Sequence, residues 1–100
     1  MIYITQLIYI QEAKEDIFDQ FEAVAIPAIS RYNGQLLFRV RPAENAYIEC
    51  YMDKPYEIHL VTFETDNDLY AFMQDEERKQ FLHLKEQSIR SVVLIKGEKL

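Results

Sequence analysis

Residues 2–10 constrain the fold more than any other stretch, because they read as a β-strand that is apolar on both faces. Ile, Tyr and Thr dominate, and no Gly or Pro interrupts them. Ile2, Ile4, Ile8 and Ile10 share one face with Gln6, while Tyr3, Thr5, Leu7 and Tyr9 share the other. Such a strand needs substantial cover on both faces.

The period then changes. Ile17, Phe18, Phe21, Val24, Ala25, Ala28, Ile29 and Tyr32 recur at helical spacing. Glu12, Glu15 and Asp16 lie where negative charge favours a helix start. Asn33-Gly34 supplies the stop, with Gly34 expected in the left-handed conformation. Pro27 removes a donor inside this pattern, which predicts a kink or two abutting helical segments. Residues 35–41 read as a strand with Leu36, Phe38 and Val40 opposite Leu37, Arg39 and Arg41; residues 57–64 read as its antiparallel partner, with Ile58 and Leu60 opposite His59, Val61 and Phe63. Between them, residues 42–56 suit either a hairpin arm, given the alternation of 46–51, or a loop over a cleft.

Thr65 and Asp68 form a capping-box pattern ahead of Leu69, Phe72 and Met73. The helical pattern pauses around 75–78 and resumes through Phe81, Leu84, Gln87 and Ser88. Residues 91–96 form the last strand, which Gly97 ends. The order β-α-β-β-α-β is that of an α+β, ferredoxin-like subunit with an antiparallel sheet, and residues 1–100 are one domain. Helices cover only one face of such a sheet. The other face carries Tyr3, Leu7, Tyr9, Val93 and Ile95, so a second copy of the chain is the expected cover.

The formal net charge of -6 repels phosphate backbones and argues against nucleic-acid partners. Cys50 is the only cysteine, which excludes an intrachain disulfide and a thiolate metal cluster and suggests a reducing, cytoplasmic setting. The apolar opening is too short for a membrane span and lacks the basic start of a signal peptide. With two glycines and no GxGxxG, P-loop or GxSxG pattern, no standard nucleotide site or nucleophile elbow is present. No metal or organic cofactor is expected.

Three segments carry a family likeness: Ala25-Ile26-Pro27-Ala28-Ile29-Ser30-Arg31-Tyr32-Asn33-Gly34-Gln35, Tyr56-Glu57-Ile58-His59-Leu60-Val61-Thr62-Phe63-Glu64, and Ser88-Ile89-Arg90-Ser91-Val92-Val93-Leu94-Ile95-Lys96-Gly97. The chain resembles the DUF1330 group of dimeric α-β barrel proteins. Asn33-Gly34 stands where that group often has a double glycine, and residues 46–55 depart from its short glycine-containing turn. The resemblance implies an architecture shared with monooxygenase-type barrels. It also implies a cavity between sheet and helices in which small organic molecules are processed without a tightly held cofactor.

Among polar residues, His59 is the best candidate for proton exchange near neutral pH. Strand pairing would set Arg39 opposite or diagonal to it, able to stabilise an enolate or carboxylate. Arg41 offers a second cation for anion recognition or ion pairing. Tyr3, Tyr9, Tyr47, Tyr51 and Tyr56 are candidate ligand-binding hydroxyls in an apolar cleft. Cys50 has no base at an informative spacing, and His83 reads as exposed. Glu12, Glu15, Asp16 and Asp19, and likewise Asp66, Asp68, Asp75, Glu76 and Glu77, read as solvated faces. Three functions fit these features: a small-molecule-binding homodimer without assigned chemistry; a cofactor-independent oxygenase, oxidase or isomerase acting on a small aromatic or conjugated organic acid; or a structural or protein-interaction dimer.

Overall fold

The computed structural model describes residues 1–100 as one antiparallel sheet with helices on one side. β1 (Ile2–Ile10) lies inside the sheet, between β3 (Glu57–Phe63) and β4 (Ile89–Gly97), and β2 (Gly34–Val40) forms the far edge beside β3. The extents of 36 × 36 × 16 Å suit one sheet and one helical layer. The α+β ferredoxin-like order is therefore observed. No helix is long and apolar enough to cross a membrane.

α1 (Glu15–Ile29) runs through Pro27 as one helix and passes into a 3-10 turn at Ser30–Tyr32. The expected division at Pro27 does not occur. Phe18, Phe21 and Ile29 are buried, at about 1.5–3 kcal/mol each, which outweighs the ~3 kcal/mol that an internal proline costs. The left-handed residue of the stop is Asn33, with φ 57°, rather than Gly34. Gly34 is required for a different reason: a Cβ there would lie 2.7 Å from both Ile29 Cγ2 and a Phe63 ring carbon.

β2 contains an irregularity at Leu37 that the alternation did not reveal. Leu36 pairs with Val61, whereas Phe38, Arg39 and Val40 pair with Leu60, His59 and Ile58. The extra residue moves Leu36 to the face of Arg39 and leaves Phe38 and Val40 on the opposite one. The helix-free face consequently carries two rows across all four strands, apolar except for Thr5. One is Ile95, Thr5, Leu60 and Phe38; the other is Val93, Leu7, Ile58 and Val40. Phe38, Val40, Val93 and Ile95 are each at least 40% exposed.

Residues 42–56 form a loop with one 3-10 turn, Glu44–Ala46, and no strand, so the hairpin-arm reading does not hold. The loop closes against the end of β1: Tyr56 N donates to Ile8 O at 2.8 Å, and the Tyr9 hydroxyl donates to Asp53 O at 2.7 Å. Tyr9 is thus buried within its own subunit instead of awaiting a partner.

α2 (Asp66–Met73) starts at the Thr65–Asp68 capping box. The expected pause is a break: α3 (Glu76–Gln80) and α4 (Leu82–Ser88) follow as separate short helices. Asp75 caps α3, accepting from Arg78 N at 2.8 Å.

Candidate functional site

Alternation along β3 turns Glu57, His59, Val61 and Phe63 toward the helices. His59 stands opposite Arg39 on β2 and Gln6 on β1, so three polar side chains cross the sheet in one row. The expected Arg39–His59 register is therefore present. The Arg39 guanidinium, however, engages Glu57: Nε donates to Oε2 at 3.1 Å and Nη2 to Oε1 at 3.0 Å. Arg41 Nε donates to Glu57 Oε1 at 2.7 Å, while its Nη2 reaches Asp19 of α1 at 2.7 Å. His59 Nε2 hydrogen-bonds Glu57 Oε2 from within the subunit. Glu57 is thereby saturated by two arginines and an imidazole although it is 1% exposed.

One helical turn beyond Asp19, Glu22 brings a second buried carboxyl to the same imidazole, with Oε2 4.0 Å from His59 Nδ1. Its setting is the opposite of Glu57's. Burial raises the Glu22 pKa and the nearby Glu57 charge adds to this, against the pull of His59, Arg39 and Arg78. At Glu57 burial also acts upward, but the hydrogen bonds from His59, Arg39 and Arg41 prevail and bring its pKa down to about 2. Two glutamates flanking one histidine are thus driven in opposite directions.

Glu22, His59, Gln6 and Arg78 form the polar end of a cavity of about 70 Å³ between sheet and helices. Its walls are otherwise apolar, with Ile4, Phe21, Val61, Phe63, Leu69 and Phe72 among them. Arg78 enters from α3, just past the break after α2, and its guanidinium lies 5.3 Å from the Phe72 ring centroid and 5.9 Å from that of Phe21. Burial lowers its pKa, opposed by Glu22 and Asp75. On the far side of Glu57, a surface groove is lined by Asp19, Ala23, Arg39, Val40 and Arg41.

Of the residues singled out from sequence, His59 alone lines the cavity. Arg39 and Arg41 lie on the outer side of Glu57. Tyr3 belongs to the helix-free face, Tyr9 and Tyr47 to the loop contacts, and Tyr51 is 91% exposed. Tyr56 stacks edge-on against Phe18 at 5.8 Å, with Arg41 over its ring at 4.9 Å. No tyrosine lines the cavity. Asp75 is not part of a solvated face: it is 5% exposed and accepts from the Tyr32 hydroxyl at 2.7 Å and from Arg31 at 3.0 Å. Those bonds and the Arg78 amide hold its pKa down at about 2. His83 is exposed, stacked on Phe81, and the Cys50 thiol donates to Met52 O. No cluster of three metal-ligating side chains occurs.

Sequence reasoning passed over Glu22, Gln6 and Arg78. Glu22 carried a readable signal, since it lies four residues after Phe18 and three before Ala25, inside the buried stripe of α1. Gln6 likewise interrupts an otherwise all-isoleucine face. Arg78 sits where the helical period lapses, and no pattern marks it.

Comparison of the sequence with protein-family models and with curated proteins finds no match. Solved structures do match in fold. A protein of unknown function from Rhodopseudomonas palustris superposes with a TM-score of 0.82 at 9% identity, over 99% of this chain and 82% of that one. A candidate antibiotic biosynthesis monooxygenase from Nitrosomonas europaea gives 0.76 at 10% identity, over 100% and 99%. A NIPSNAP domain protein from Burkholderia xenovorans gives 0.71 at 8% identity, over 100% and 95%. At such identities the likeness establishes the ferredoxin-like fold along the whole chain.

Proposed function

We propose that the chain acts as a homodimer of the dimeric α-β barrel type, each subunit binding a small organic molecule in its helix–sheet cavity and exchanging a proton with it through His59. The observation that carries this reading is the buried imidazole held between a saturated carboxylate and an unsaturated one, at the polar end of an apolar cavity. The Nε2 side of the ring is engaged by Glu57, which leaves Nδ1 facing Glu22 and the cavity. Arg39 and Arg41 hold Glu57 ionised. They position the imidazole and do not touch the ligand.

The apolar rows on the helix-free face support the dimer. Stacking the two sheets would bury Phe38, Val40, Val93 and Ile95 from each subunit, a surface that a lone subunit leaves to water. Sedimentation at micromolar concentration should give twice the chain mass of 11.9 kDa; a single-chain mass would refute this part.

The same geometry supports a second, catalytic reading as a cofactor-independent isomerase, oxidase or oxygenase. An imidazole nitrogen facing a cavity with largely apolar walls can take a proton from an activated C–H or O–H group. The shared fold with a candidate monooxygenase is compatible with that chemistry without assigning it. Binding itself is tested by saturation-transfer NMR with a fragment set of acids, alcohols and small aromatics. Fragments that bind should lose contact in Ala25→Leu, which fills the cavity wall; unaltered binding, or none in the native protein, would remove the cavity as the site.

A further inference from the structure

Four of the five arginines, Arg31, Arg39, Arg41 and Arg90, are paired with carboxylates. Arg78 is not. Its only side-chain hydrogen bond is a long one, 3.4 Å, to the Met73 carbonyl. It shares the cavity with Glu22 and Gln6, whose side chains also make no hydrogen bond within the chain. Glu22 is buried and Gln6 and Arg78 are half-buried, and three polar side chains with so few partners converging on one otherwise apolar cavity suit a ligand's polar group.

We propose that Arg78 is the anion-recognising residue of this cavity and that its ligand is a small monocarboxylic acid. The planar guanidinium fork matches a carboxylate, and the flanking Phe21 and Phe72 rings keep it oriented. The Gln6 amide and the Glu22 carboxyl, which burial disposes to keep its proton, add donors on the other side of the bound group. The acyl body then lies toward Val61, Phe63 and Leu69. The cavity of about 70 Å³ is roughly half of the ~150 Å³ that encloses benzene, so a short chain fits and a bulky ring does not. Arg39, committed to Glu57, is thereby replaced as the group that meets ligand charge.

The inference rests on the cavity being a ligand site, and the test separates the two. Acetate and propionate, with ethanol and propan-1-ol as uncharged counterparts, are titrated calorimetrically into native protein, Arg78→Met and Arg78→Lys. Native protein should bind each acid more tightly than its alcohol. Arg78→Met, which retains the packing between the rings, should weaken the acids by about ten- to a hundredfold and leave the alcohols unchanged; Arg78→Lys should fall between, since it keeps charge but loses the fork. Alcohols binding as well as acids, or acids unaffected by Arg78→Met in protein of native circular dichroism, would overturn the assignment and spare the cavity reading. Binding of neither class would overturn both.

Discussion

Glu57 and Glu22 are both buried, both next to His59, and differ in almost everything else. Glu57 has two arginines and an imidazole on its oxygens; Glu22 has no hydrogen bond. A fully paired buried charge is part of the structure, because removing any partner strands the others. An unpaired one is a standing cost that folding alone does not explain, and such costs gather where a ligand is to be met. The imidazole between them joins a rigid outer clamp to an unsatisfied inner cavity.

The largest effect that would expose this difference comes from Glu57→Gln. It leaves Arg39, Arg41 and His59 around a neutral amide and should destabilise the fold by about 3–5 kcal/mol, read from urea unfolding. A loss below 1 kcal/mol would show that the clamp is not structural. Asp75→Asn should follow at about 2 kcal/mol, because Arg31, Tyr32 and the Arg78 amide lose a charged acceptor; Arg78 should also lose its fixed position over the cavity.

Acidification sharpens the same contrast. Glu57 and Asp75 have folded pKa values of about 2, below those of the unfolded chain, so their contributions are complete above the ordinary carboxylate range and decline as pH falls toward 2. Glu22 has the reverse sign. Its folded pKa is raised, so its contribution is full below the unfolded value and is lost as pH rises through the folded one. Glu22→Gln should therefore stabilise the protein at pH 7, by up to about 1 kcal/mol, and a native-like or lower midpoint in thermal melts would argue against an ionisation burden there. The smallest effect belongs to Asp19→Asn, which removes a half-exposed pair with Arg41 and should cost under about 1 kcal/mol.

Much of the fold could be read from the chain because packing left periodic traces. The two-sided apolar segment formed β1, the Thr65–Asp68 cap formed, and Arg39 fell opposite His59, one of the two placements that alternation allowed. What escaped were features set by single contacts. One irregular residue at Leu37 reversed half of β2, and Gly34 was fixed by the nearness of Ile29 and Phe63, not by its backbone angle. Pro27 stayed helical because tertiary burial exceeded its local cost. The site was half legible: His59 stood out by residue type and Glu22 lay in the buried stripe of α1, whereas Arg78 gained its meaning only when α3 closed over the cavity. The candidate tyrosines lie outside the cavity, because tyrosine serves loop and sheet faces as readily as a cavity wall.

The division between a structural and a functional carboxyl is most directly tested by following both side-chain carboxyl carbons by NMR as pH is lowered from 8 to 2. Glu22 should take its proton first, above the ordinary value of 4.5 for a free glutamate, and Glu57 should stay ionised until pH approaches about 2. Two carboxyls titrating together near the ordinary value, or Glu57 protonating before Glu22, would contradict that division.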